Sequence, residues 1–384
     1  MLICLALASC AAPPVAPVDG EPDLQGRVLA GASDFKQLVA GFVHTCALSE
    51  EGAALCWGSN DYSQLGAATT ATCGGRPCSI DPVPVAGGRR YETIAAGWVT
   101  TCGVTAEGAG WCWGGGPFAG RGYLGDGQLS RSLAPVRIAT DSAIASVTLG
   151  DGHACALTAG GTALCWGQNS LGQVGDGTTE DRPLPVAVAP RRTFRSLTAG
   201  AYHTCGVTTD GATLCWGDNR WGQLGVGPVP FGMGQAREMP TPVQVPSGVR
   251  FTTVSAGWQH SCALDERGLA WCWGRNDDAS QLGDDSRVTH RGVPAAVSGG
   301  VRFAVVNAGA LTTCARTANN DGYCWGGNYH GVLTTGTTNA RGIGHPVRVD
   351  GGPFMRLRVG QAHACAVGTD RRVWCWGDRS AGQY

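Results

Sequence analysis

The chain has 384 residues, beyond the roughly 250–300 at which a single hydrophobic core stops growing, so it is several domains or one modular array. It is 43% hydrophobic and 15% charged with 61 glycines and 13 tryptophans, the composition of a folded chain and not of a disordered one. A net charge of −1 removes the usual electrostatic argument for nucleic acid, which wants a basic face, and Lys36 is the only lysine among the cations.

Residues 1–9 predict a signal peptide of the lipoprotein type. Leu2 to Ala8 form an apolar run too short to span a bilayer, followed by small residues as at an export cleavage site. Leu7-Ala8-Ser9-Cys10 resembles a lipobox, which implies cleavage before Cys10 and acylation of that residue. No Lys or Arg precedes the run, which points to a start codon further upstream; plain secretion with an incidental Cys10 stands as the alternative. Both readings take the chain out of the cytoplasm. Residues 10–24 read as a Pro-rich, extended tether, and residues 25–384 as the folded region.

From there the chain repeats itself. Units open at Gly41, Gly97, Gly150, Gly200, Gly257, Gly309 and Gly360, and each holds two cysteines ten positions apart. Cys46 is followed by Cys56, Cys102 by Cys112, Cys155 by Cys165 and Cys205 by Cys215. In the last three units Cys262 is followed by Cys272, Cys314 by Cys324 and Cys365 by Cys375, and Trp-Gly follows every second cysteine. Ten residues place two cysteines opposite each other across a hairpin with a three-residue tip. Directly paired strand residues lie about 4.5–5.5 Å apart, within disulfide reach. Such a tip needs a left-handed residue, and Gly52, Gly108, Gly161, Gly211, Gly268 and Asn320 supply it, whereas Arg371 departs. An aromatic stands six residues before the opening glycine in six units (Phe35, Tyr91, Phe194, Phe251, Phe303, Phe354), with Ile144 in the seventh. A Pro-Val segment follows the loop after Trp-Gly. Four short strands per unit, seven times over and without helical periodicity, predict an all-β, seven-bladed β-propeller of four-stranded antiparallel blades. Arg27 to Gly31 precedes Phe35 as the Pro-Val strands precede the other aromatics, so an N-terminal strand is expected to close the last blade.

The phrases AGFVHTCALSEEGAALCWGSNDYSQLG and AGAYHTCGVTTDGATLCWGDNRWGQLG resemble the repeat of the regulator of chromosome condensation family. The resemblance covers residues 25 to 384 and implies the same seven-bladed ring. The chain departs from intracellular members in carrying a Cys pair in every unit.

Outside the cytoplasm the fourteen blade cysteines are expected to form disulfides, as are Cys73 and Cys78, which bracket a short loop. The rival is metal, because His44, His153, His203, His260 and His363 form His-x-Cys. Thr100 and Thr312 hold that position in two units that keep both cysteines, which argues for hydrogen-bonding histidines and no metal. The seven Trp-Gly tryptophans, together with Trp111, Trp271 and Trp374, are expected to pack between blades.

Strand order puts the turns after each opening glycine and the loops after Trp-Gly on one face, which also carries the insertions 67–81 and 226–241. Phe42, Tyr62, Trp98, Tyr202, Trp221 and Trp258 on that face are the candidate partner-binding residues, since exposed aromatics are costly without a use. Channel capping by several of them is the competing role. The reading is an exported, lipid-anchored, non-enzymatic scaffold and monomer that recognises an unidentified protein, with no cofactor and no membrane contact beyond its anchor. Exported propellers of similar fold include an inhibitor of β-lactamases, which makes an enzyme inhibitor one alternative; a hydrolase with its site on the channel rim is another. No nucleophile elbow, zinc-binding helix or phosphate loop supports catalysis.

Overall fold

The computed structural model describes residues 27–28, 35–116, 122–227, 238–277, 279–335, 342–378 and 380–382. The leader, the tether with Cys10, and the middle of the 226–241 insertion lie outside them. All regular elements among the described residues are strands, gathered into seven antiparallel sheets. The first blade runs outward through Phe35–Ala40, His44–Ser49, Ala54–Ser59 and Arg76–Pro84, with the short strand Thr72–Cys73 added at its edge. The fourth repeats it as Phe194–Ala199, His203–Thr208, Thr213–Asp218 and Glu238–Gln244. In the seventh, Phe354–Val359, His363–Gly368 and Val373–Gly377 are joined at the outer edge by Arg27–Val28, with Arg27 opposite Cys375 and Val28 opposite Trp374.

The ten-residue spacing does what hairpin geometry requires. Cys46 faces Cys56 directly, with Thr45 opposite Trp57, and the two cysteines are bonded with Cα atoms 4.1 Å apart. The same bond joins Cys102 to Cys112, Cys155 to Cys165 and Cys205 to Cys215 in the next three blades. It joins Cys262 to Cys272, Cys314 to Cys324 and Cys365 to Cys375 in the last three. Cys73 and Cys78 are bonded as well. At the tips Gly52 has φ 83° and Asn320 has φ 69°. Arg371 takes φ 66° despite its Cβ, so the turn imposes its conformation on a poorly suited residue.

Each blade presents two different faces. One carries the Trp of Trp-Gly and looks back; the other carries the disulfide and looks forward. Thus Cys46 and Cys56 of the first blade pack with Tyr91, Ile94 and Trp113 of the second, and Cys205 and Cys215 of the fourth pack with Phe251, Val254 and Trp273 of the fifth. Likewise Cys102 and Cys112 meet Trp166, Cys155 and Cys165 meet Trp216, Cys262 and Cys272 meet Trp325, and Cys314 and Cys324 meet Trp376. The seam between last and first blades follows suit: Cys365 and Cys375 meet Leu38, Ala47 and Trp57. The bridges are therefore apolar knobs in the core between blades as well as staples within them. The opening aromatic stacks near its own blade's Trp, as in Phe251–Trp273 at 5.8 Å between centroids, and Ile144 fills the same place in the third blade. A buried Trp removes about 150–250 Å² from water, worth at most about 4–6 kcal/mol at 25 cal/mol per Å². Trp374 joins the core, whereas Trp111 and Trp271 are half-buried, and Arg89 lies 3.8 Å over the Trp111 ring.

The His-x-Cys histidines bond across the same seams. The sequence predicts a bond to a neighbouring loop; the direct partner is instead a hydroxyl on the next blade. His44 Nε2 is 2.8 Å from Thr101 Oγ1, which donates to the Gln64 carbonyl at 2.8 Å. The indole N–H of Trp113 donates to that same carbonyl at 3.1 Å. Since the hydroxyl has one proton and spends it on the carbonyl, the histidine must be the Nε2–H donor. The pattern recurs as His153–Thr204–Gln173, His203–Ser261–Gln223 and His260–Thr313–Gln281, and His363 bonds Thr45 across the closing seam. The sequence H-T-C…W-G…G-Q-L-G is thus one blade-to-blade hydrogen-bond circuit.

Candidate functional site

The inner strands end at the seven opening glycines, and these form a closed backbone ring. A Cβ on Gly41 would lie 2.6 Å from the Gly97 carbonyl oxygen, one on Gly200 2.3 Å from that of Gly257, and one on Gly360 2.3 Å from that of Gly41. Only glycine lets each blade approach the next so closely. The residue after the glycine ties the ring at several joints: Phe42 N–H donates to the Gly97 carbonyl at 3.0 Å, and Trp258 N–H to that of Gly309 at 3.1 Å.

This ring sets seven side chains around the mouth of the central channel: Phe42, Trp98, Asp151, Ala201, Trp258, Ala310 and Gln361. Three of the sequence-predicted residues meet there. Phe42 packs edge-on against Trp98 at 6.1 Å and against Trp258 at 6.3 Å. The Trp258 indole donates to Asp151 Oδ2 at 3.0 Å. Burial pushes the Asp151 carboxyl up to about 6, against the pull of that bond. The remaining depression is about 140 Å³, below the 300–1,000 Å³ of small-ligand sites. The aromatics therefore cap the channel, and each is half-buried with a flank still facing outward.

The other three candidates stand apart on the same face. Trp221 lies under the Arg275 guanidinium at 4.8 Å, and Arg275 is held in turn by Gln259 and Asp277. Tyr202 stands beside Arg220, whose fork grips the buried Asp218 at 2.9 and 3.0 Å and is held charged by it. Tyr62 is in the loop where Asp61 meets Arg76 at 3.3 Å and its carbonyl accepts from Arg131 at 3.2 Å. The sequence reading omits Asp151, Arg220 and Arg275. Asp151 is found by its place after an opening glycine, but the two arginines carry no signal beyond lying in a loop. Among the described residues no group of three His, Cys, Asp or Glu is arranged to hold a metal ion.

A seven-bladed ring with buried, standardised seams and one variable aromatic–arginine face defines a class, the repeat propellers that present a rigid face. The profile of the RCC1-like domain matches residues 18–355, and the chain belongs to that family. It is 28% identical over 254 residues to the ultraviolet-B receptor UVR8 of Arabidopsis thaliana, covering 65% of this chain and 42% of the receptor. It is 26% identical over 334 residues to the human E3 ubiquitin-protein ligase HERC2, covering 85% of this chain and 6% of HERC2. The chain thus spans less than half the length of these curated relatives. Among solved structures, the yeast propeller RCC1 (Prp20), crystallised with Kap60, superimposes with a TM-score of 0.75 at 21% identity, covering 90% of this chain and 81% of that one. Human WBSCR16 gives 0.76 at 18%, covering 91% and 88%. RCC1-like propellers often mediate protein binding.

Proposed function

We propose that this propeller is an exported, non-enzymatic scaffold that binds a protein partner through the face around the channel mouth. The observation that carries the reading is the cluster of Phe42, Trp98 and Trp258 on the glycine ring, flanked by the Trp221–Arg275 and Tyr202–Arg220 groups. Aromatic residues and arginines on rigid backbone are the composition of binding hot spots. Eight buried or pinned disulfides suit an oxidising compartment, in keeping with the leader at residues 1–9 and acylation of Cys10. In a pull-down from envelope and secreted fractions, the double variant Trp98→Ala/Trp258→Ala should lose a specific partner at least tenfold, hot-spot truncations costing about 2 kcal/mol or more each. Its melting temperature should fall by a few degrees at most, since both side chains are only half-buried and lie outside the core between blades, with Trp258 giving up its bond to Asp151. Equal recovery of every partner by both proteins would remove the face.

The N-terminal strand is the proposed clasp of the ring, supported by the Arg27–Cys375 register. Deletion of residues 25–31 is expected to lower the melting temperature by several degrees. An unchanged melting curve would refute the clasp.

A further inference from the structure

Six blades put a neutral side chain directly after the opening glycine, and only the third puts a carboxylate there, Asp151. The backbone at this position closes equally well on alanine: Ala201 and Ala310 donate their N–H groups to the Gly257 and Gly360 carbonyls at 3.3 and 3.2 Å. Asp151 is therefore no requirement of the fold. It also stands without a counter-ion. Among the described residues it enters no ion pair, and no other ionisable side chain lines the depression at the channel mouth. Its side-chain bond is to the Trp258 indole, which donates to Oδ2 at 3.0 Å. The titratable group nearest along the chain, His153, is buried against Thr204 and held down to about 3 by that burial. On the next blade Tyr202 stands with Arg220 instead. A desolvated charge without a partner is costly, and a carboxylate left unexplained in a cleft marks a place where a ligand's charge is met. The Asp151 side chain is only part-buried, so a ligand can reach it.

The walls supply the rest of the chemistry. Four side chains form one continuous line across the mouth: Trp98 against Phe42, Phe42 against Trp258, and Trp258 bonded to Asp151. Phe42 and Trp258 belong to the first and fifth blades, so they meet over the channel and not along its rim. Small residues, Ala201 and Ala310, stand on the blades to either side of Trp258 and leave space beside it. The 140 Å³ that remains is too little for a small-molecule ligand and takes the head group of one side chain. Aromatic rings attract a cation within about 6 Å of their centroids, more strongly where water is excluded. A carboxylate among three rings is thus complementary to a cation and repels an anion. The kind of cation follows from Asp151 as well. One of its oxygens is engaged by the indole, which leaves the other for a ligand. A guanidinium fork is served best by two carboxylate oxygens, whereas an ammonium is a compact point charge that can use one.

We propose that the channel mouth is a lysine pocket: the partner docked on this face inserts one lysine side chain, whose ammonium is held by Asp151 within the walls of Phe42, Trp98 and Trp258. The inference rests on the docking face proposed above and names the chemistry that this face reads. In the test the full chain is titrated with Nα-acetyl-lysine N-methylamide, with its arginine counterpart, and with the Nε-acetylated lysine, which carries no charge. Binding is read from saturation-transfer NMR of the probe. At pH 7 the lysine probe should give saturable binding in the millimolar range, the arginine probe weaker binding, and the acetylated probe none. Asp151→Asn keeps an acceptor for the indole, should melt no lower than the parent at pH 7, and should weaken lysine binding at least tenfold. A carboxyl that burial pushes up to about 6 is about nine-tenths ionised at pH 7 and about one-tenth at pH 5. Lysine binding by the parent should therefore weaken about tenfold between those values, and that of Asp151→Asn should not change. Acetylated lysine binding as well as free lysine would overturn the site, as would Asp151→Asn binding lysine as the parent does. Tighter binding of arginine would overturn the choice of ammonium. Should Trp98→Ala/Trp258→Ala lose the partner while no probe binds the parent, the docking face would stand and the lysine pocket alone would fall.

Discussion

At pH 5, unfolding is expected to take up about four protons, and stability should fall by about 5 kcal/mol for each further unit of acid, at 1.36 kcal/mol per proton. The source is the seam histidines. Burial holds His44, His153, His203 and His260 down to about 3 and His363 to about 4, against 6.5 in the unfolded chain. A depressed folded value means that the contribution is intact above 6.5 and is lost as pH falls toward 3–4. Four of the rings already donate Nε2–H to a hydroxyl and His363 bonds Thr45 through Nε2, and Nδ1 of all five is buried without a hydrogen-bond partner, so the charged form has nowhere to place a proton on Nδ1. Asp151 acts in the opposite sense. Its folded value of about 6 lies above the unfolded 3.8, so between those values the native state binds one proton more. Five taken up less one gives four. Calorimetric unfolding in buffers of different ionisation enthalpy between pH 4.5 and 7 counts them directly. Uptake of one proton or fewer would mean that the histidines are already charged or solvated in the fold.

Reduction separates the bridges into two classes. In the native protein a mild reductant should open Cys73–Cys78 alone, because Cys73 lies on an outer loop whereas all fourteen blade cysteines are fully buried between blades. Alkylation and intact mass should then show two labels. Denaturant with reductant should give sixteen labels among the described cysteines, and the reduced chain should not regain native structure on dilution. Each closed loop of about eleven residues contributes about 2–3 kcal/mol in the chain-entropy model, so losing seven rivals the 5–15 kcal/mol by which folded domains are ordinarily stable. Labelling of blade cysteines in the folded, unreduced protein would contradict both the bridges and the oxidising compartment they suit.

Much of this ring is legible in the sequence because the determinants within each blade are local. Cys-x₉-Cys with a left-handed residue at the tip defines a hairpin without reference to anything else, and seven copies define the ring. What lies between blades is less accessible. The opening glycine is plain as a repeat marker, but its reason is the carbonyl of the next glycine, about fifty residues away. His44 reads toward a loop because nothing in H-T-C says that the threonine of the following copy receives it. The ten tryptophans read alike; Trp111 lies on the same side of its strand as buried Trp113, but two residues nearer the hairpin tip, where it is half-buried under Arg89. At the mouth the sequence marks Phe42, Trp98 and Trp258 as exposed aromatics, yet their mutual packing depends on the diameter of the ring. Arg371 shows the limit from the other side, since its backbone follows the hairpin and not its own preference.

Because every blade bridge links neighbouring strands, correct cysteine partners are adjacent along the chain as well as in space. A hairpin can oxidise as soon as its own few residues are available, without waiting for the circle to form. Outside the first repeat, which also holds Cys73 and Cys78, mispairing would require cysteines from different repeats, whose separation makes encounter slower. The design therefore lets covalent proofreading run module by module, and leaves the closing of the ring, by the pairing of Arg27–Val28 with Val373–Gly377 and the joint between Trp57 and the Cys365–Cys375 pair, to depend on chain segments remote from each other.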